Sequence, residues 1–174
     1  MKQAIFIILA LALAGCVSSM PGSIATSVSD YDGARQIVME PAWLHDSTLK
    51  MGLYKTDAMP KDKVVLRVVI VGLVNIAKRN SLHINIDGGE IHLTASDLLA
   101  QYKTSDGGQN TSQRDYIIKK SLVRMMLDGE RVVVKVDHGH KYTTGVFSKD
   151  GPTTARPAFR KFYEQTIAFD ADRV

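Results

Sequence analysis

Cysteine is almost missing from this chain of 174 residues, with Cys16 the single example. No disulfide can form within it, so the stability of any folded domain must come from an apolar core. Aromatic residues are sparse, at 7% of the composition, and Trp43 is the lone tryptophan. Charged residues make up 23%, the net charge is +4, and no long run of one sign occurs. That balance excludes a disordered polyelectrolyte and argues against a dedicated nucleic-acid binder. No apolar run approaches the roughly 20 residues that a membrane-crossing helix needs. Signatures of chemistry are missing as well: the glycine pairs Gly88-Gly89 and Gly107-Gly108 lack the Gly-Lys-Ser/Thr of a phosphate loop, and neither a strand–G-x-G-x-x-G–helix unit nor G-x-S-x-G is found. No repeat of 20 to 50 residues points to a solenoid or propeller. One ordinary globular domain remains, with no string that names a reaction.

The N-terminus is the most informative segment. Lys2 precedes an unbroken apolar run from Ala4 to Ala14, followed by Gly15 and Cys16. A basic start, an apolar core of about half the spanning length and a small-residue site form the layout of a secretory signal peptide. Within it, Leu13-Ala14-Gly15-Cys16 resembles the lipobox of bacterial lipoproteins, a likeness confined to the first sixteen residues. The resemblance implies that Cys16 is acylated, becomes the first residue of the mature chain and makes the membrane a partner. The plainer alternative is a signal peptide cut elsewhere with Cys16 as a passenger. In diderm bacteria an aspartate after the acylated cysteine retains a lipoprotein in the inner membrane. Val17 stands there, so the resemblance implies the outer membrane, facing the periplasm.

Residues 1–15 are thus expected to be a signal peptide and residues 16–34 a lipid-anchored tether. The tether's Ser, Gly and small residues show no sustained period, and its reach is on the order of 20 Å. Residues 35–174 are expected to form one β-rich domain. Short β-branched runs at 35–40, 48–55 and 63–76 read as strands; the third is apolar on both alternating faces apart from Arg67, as in a central strand, and Gly72 invites a bulge. Residues 80–94 read as a hairpin. A two-residue type I′ turn at Asp87-Gly88 pairs Leu82 with Leu93, Ile84 with Ile91 and His83 with His92, leaving both histidines on the polar face. Residues 98–102 suit a short helical turn, 103–113 an exposed loop and 114–118 a strand. Residues 121–127 suit a helix capped by Ser121 with Leu122, Met125 and Met126 inward, ended by Gly129. A second hairpin joins 130–136 to 141–147 across Asp137-His138-Gly139-His140. A final helix, capped by Thr153 or Thr154, places Phe159, Phe162 and Ile167 on one face. The sum is a mainly β, β-rich α+β domain: an antiparallel sandwich or curved sheet with a short helix and a C-terminal helix packed on it.

Chemistry-bearing residues are few. His83 with His92, and His138 with His140, form two local imidazole pairs, each below the three or four ligands that zinc prefers. The plainer readings are a solvated cross-strand pair and a turn-forming linker. Trp43, after the break at Pro41, could line a ligand groove, although sealing the edge of the core is the commoner use of such a ring. These five residues are the candidate ligand-binding set, and Cys16 is the lipidation site. No catalytic residue and no cofactor is indicated. The leading expectation is a lipid-anchored, periplasm-facing binding or scaffolding module whose partner is an envelope protein or peptidoglycan. The alternatives are a small envelope enzyme such as a hydrolase, and a periplasmic metal-binding protein using His83/His92 or His138/His140.

Overall fold

The structure, a computed structural model, describes residues 20–28, 33–96, 99–104, 108–151 and 153–172. Cys16, the apolar run before it and the proposed cleavage site lie outside the described residues.

The chain is mainly β. In order it forms β1 (Ile24–Val28), β2 (Arg35–Trp43), β3 (Leu49–Thr56), β4 (Lys63–Val71), β5 (Leu82–Ile86), β6 (Gly89–Leu93), β7 (Gln101–Thr104), β8 (Asn110–Lys119), α1 (Lys120–Asp128), β9 (Val132–His138), β10 (Lys141–Val146) and α2 (Ala155–Ala171). Among the described residues these strands form two sheets, both antiparallel throughout: a six-stranded, curled sheet ordered β1-β2-β3-β4-β8-β7 and a four-stranded sheet ordered β10-β9-β5-β6. The expected curved sheet with a short helix and a C-terminal helix packed on it is what the chain builds.

The strand with two apolar faces is indeed central. Alternate residues Val64, Leu66, Val68 and Ile70 of β4 enter the main core, while Val65 and Val69 are buried on the opposite face beside Arg67. Arg67 is accommodated there by a two-point ion pair with Asp115 of β8, its Nε and a terminal nitrogen each 2.9 Å from a carboxylate oxygen. The strand stops at Val71, short of the expected 76. Gly72 adopts φ +117° there, so it ends the strand instead of bending it. The bulge lies elsewhere, between Met39 and Ala42 of β2, around Pro41, which has no N–H to give to a ladder. Gly52 of β3 faces that bulge; a Cβ on it would stand 2.8 Å from the Met39 carbonyl.

Inner residues of both sheets and of both helices join in one core: Met51 and Leu53 of β3, Ile84 of β5, Val134 of β9, Met126 of α1 and Phe162 of α2 are among its members. The rings of Phe147 and Phe159 meet edge to face at 4.9 Å.

Several expectations are corrected. Residues 24–28, assigned to the tether, form edge strand β1 along β2. All but Ile24 are exposed, so the strand makes ladder hydrogen bonds without the apolar alternation that would reveal it. Of the helical turn expected over 98–102, residue 98 lies outside the described residues and Gln101 and Tyr102 belong to β7. Of the loop expected over 103–113, residues 105–107 lie outside the described residues and residues 103–104 and 110–113 join the β7–β8 pairing, with β7 exposed but Ser112 and Gln113 of β8 buried. In α1, Lys119 and not Ser121 occupies the N-cap position, because β8 runs straight into the helix. Met125 is exposed, and the inward set is Leu122, Val123, Met126 and Leu127. Thr154 stands at the N-cap position of α2, as expected, though its side chain makes no cap bond; Ile167 points outward, while Thr166 and Phe169 turn inward with Phe159 and Phe162.

Candidate functional site

The first hairpin folds in the register that its turn residues dictate. Asp87 and Gly88 both have positive φ, +51° and +94°, as a type I′ turn requires, and Leu82, His83, Ile84, Asn85 and Ile86 pair with Leu93, His92, Ile91, Glu90 and Gly89. The turn is fastened on two sides. Asn85 Oδ1 accepts from the Gly88 amide at 3.0 Å, and Asp87 Oδ1 accepts from the Arg131 amide at 2.7 Å. With Leu82 and Ile84 buried against Val134 and Val136, His83 and His92 are committed to the outer face.

That face is shared by all four strands of the second sheet. His83 lies between His92 on β6 and Lys135 on β9, and Thr144 on β10 extends the row. The carboxylates stand on the diagonals: Glu90, two residues from His92, and Asp137, two residues from Lys135. His83 Nε2 is 2.7 Å from Asp137 Oδ2 and its Nδ1 is 3.3 Å from Glu90 Oε1, so each ring nitrogen has a carboxylate partner. His92 Nε2 is 3.8 Å from Glu90 Oε2, and the two imidazole rings meet nearly at right angles with centroids 4.5 Å apart. Lys135 Nζ reaches Asp137 Oδ1 at 3.5 Å and sits over the Tyr142 ring. His83 is mostly buried, its side chain 13% exposed, whereas His92 and Glu90 are about half exposed, at 47% and 50%. An open groove lined by His83, Asn85, Glu90, Arg131, Lys135 and Thr144 runs over the site.

Among the described residues, His83, Glu90 and His92 are the group of three whose donor atoms, one from each side chain, fall within 4.8 Å of one another. His138 and His140 do not join them. His138 belongs to β9, where its Nε2 meets Thr143 Oγ1 at 2.9 Å, and the turn contracts to Gly139 and His140, leaving His140 exposed at its tip. Trp43 ends β2 on the face away from its buried neighbours Ala42 and Leu44. Its ring lies half-buried beneath Lys50 Nζ, 4.0 Å from the centroid, and is not among the buried core residues. Desolvation holds the Lys50 ammonium below the ordinary lysine range.

Sequence reasoning found His83 and His92 but passed over Glu90 and Asp137 as partners. Glu90 was within reach of the hairpin register, since it lies diagonal to His83 one pair from the turn. Asp137 was not, because its approach depends on β5 pairing with β9 across 54 residues of sequence.

A second ionic cluster lies under α2. Asp170 accepts from Lys120 Nζ at 2.7 Å and stands 3.4 Å from Lys55 Nζ. Burial alone would raise its carboxyl, but the Lys120 hydrogen bond and the Lys55 charge outweigh that and hold it below the usual carboxylate range. These contacts tie α2 to Lys55 of β3 and to Lys120 at the start of α1.

No protein-family model, curated protein or solved structure matches the chain.

Proposed function

We propose that the protein is a bacterial lipoprotein, held by acylated Cys16 at the periplasmic face of the outer membrane, whose β-rich domain is a binding or scaffolding module for an envelope component. The observation that carries this reading is Leu13-Ala14-Gly15-Cys16 at the end of the apolar run from Ala4 to Ala14. The first described residues agree with a short anchor. Met20 to Ser23 already form a hydrogen-bonded turn, Gly22 N donates to the Glu40 carbonyl, and β1 opens at Ile24. Only residues 17–19 separate Cys16 from that turn, so the domain would sit no more than about 15 Å from the anchored residue even with the link fully extended.

A module fixed at such a distance meets its partner by surface and not by long reach. The open, polar outer face of β10-β9-β5-β6 is the face we assign to that contact, because it presents histidine, carboxylate and lysine side chains around one groove. Fractionation tests the anchor. With Cys16→Ala, the protein should leave the membrane fraction while its domain remains folded. A variant that stays membrane-bound and is processed at the same site would contradict the proposal.

A further inference from the structure

We propose that His83, Glu90 and His92 bind one divalent transition-metal ion of the zinc or nickel class, with Asp137 as a positioning residue behind His83. The inference does not depend on the lipid anchor. It rests on how four side chains from three adjacent strands converge. Zinc takes imidazole nitrogen at about 2.0–2.1 Å and carboxylate oxygen at about 2.0–2.2 Å, which in a tetrahedral frame places donor atoms about 3.4 Å apart. His83 Nδ1 and Glu90 Oε1 are already 3.3 Å apart, and Glu90 Oε2 and His92 Nε2 are 3.8 Å apart. One donor atom from each of the three side chains lies within 4.8 Å of the other two, and Glu90 and His92, both about half exposed, have room to rotate inward toward that spacing. The backbone need not move, since the type I′ turn and the pairing of β5 with β6 and β9 fix all three Cα positions.

The second nitrogen of His83 supports the assignment. A histidine that ligates through Nδ1 keeps its proton on Nε2, and metal-binding histidines usually give that proton to a carboxylate, which fixes the ring and strengthens the donor. Asp137 Oδ2 occupies that place at 2.7 Å, and Lys135 holds the other oxygen of Asp137. Two imidazoles and one carboxylate favour zinc, nickel, cobalt or copper over magnesium or calcium, which prefer all-oxygen shells. Three protein ligands leave a fourth position open toward the groove above His83.

Titration calorimetry of the full chain in detergent with zinc chloride and nickel chloride, against magnesium chloride, tests the site. One equivalent of zinc or nickel should bind in the micromolar range and magnesium should give no heat. His83→Thr and His92→Thr, which keep good strand residues, should abolish that binding, and Glu90→Gln should weaken it at least tenfold. Asp137→Asn should weaken it by about 10- to 100-fold while keeping the stoichiometry and the metal-free melting temperature. Binding that survives both histidine substitutions would assign the metal to other residues and overturn the proposal. Absence of zinc and nickel binding to the unaltered, folded chain would also overturn it, leaving a hydrogen-bond network only.

Discussion

Lys55 is a lysine with no exposed surface, and its ammonium group is satisfied by the carbonyls of Pro60, Lys61 and Lys63 at 2.8, 3.2 and 2.9 Å and by the Asp170 carboxylate. Those contacts join the turn after β3 to the last turn of α2. Removing one partner of a buried pair leaves the other charge uncompensated, so Asp170→Asn should destabilise the domain by about 3 kcal/mol at pH 7 in urea unfolding. The pH dependence follows from the direction of the Asp170 shift. Its carboxyl titrates lower in the folded than in the unfolded chain, so its contribution is present above the unfolded value of about 4 and is lost as pH falls through the folded value. The gap between the parent and the Asn variant should therefore shrink below pH 4. A gap that stays constant down to pH 2 would show that the pair does not govern acid stability.

The elements that periodicity reveals are those with one buried face. The β5–β6 hairpin was legible to the residue because Asp87-Gly88 fixes the turn type and Leu82, Ile84, Ile91 and Leu93 fix the face. Strands β1 and β7 were not, since edge strands with exposed side chains are held by backbone pairing, which leaves no trace in composition. The helices were found with their inward faces largely right, and single positions on them were not. Ile167 was assigned inward by its spacing from Phe159 and Phe162, yet the core closes over Phe169 instead and leaves Ile167 58% exposed. Two comparisons check these assignments by unfolding free energy. Phe162→Ala should cost about 3–5 kcal/mol, whereas Ile167→Ala should stay within about 0.5 kcal/mol. At Gly88 an added Cβ meets nothing within 4 Å, so Gly88→Ala isolates the backbone cost of φ +94°, about 1–2 kcal/mol. Equal losses for Phe162 and Ile167, or a neutral Gly88→Ala, would refute the packing and the turn respectively.

Across the whole molecule, both sheets and both helices bury their apolar faces in one cluster, so the domain should unfold as a unit. Deleting the chain from Thr153 onward removes Phe159, Phe162 and Phe169 together and should abolish the cooperative thermal transition; a truncated chain melting near the parent temperature would place α2 outside the core. The candidate site illustrates what sequence reading reaches at this scale. His83 and His92 follow from a local turn, but Asp137 enters only when β9 docks beside β5, a pairing that no local pattern encodes. The function we propose depends instead on the first sixteen residues, whose meaning is chemical and not architectural. Mass spectrometry of the N-terminal peptide from protein extracted from membranes is its most direct test. The account predicts a chain that begins at Cys16, lacks residues 1–15 and carries acyl chains on that cysteine. A mature chain that begins elsewhere, or that carries Cys16 as a free thiol, would contradict it.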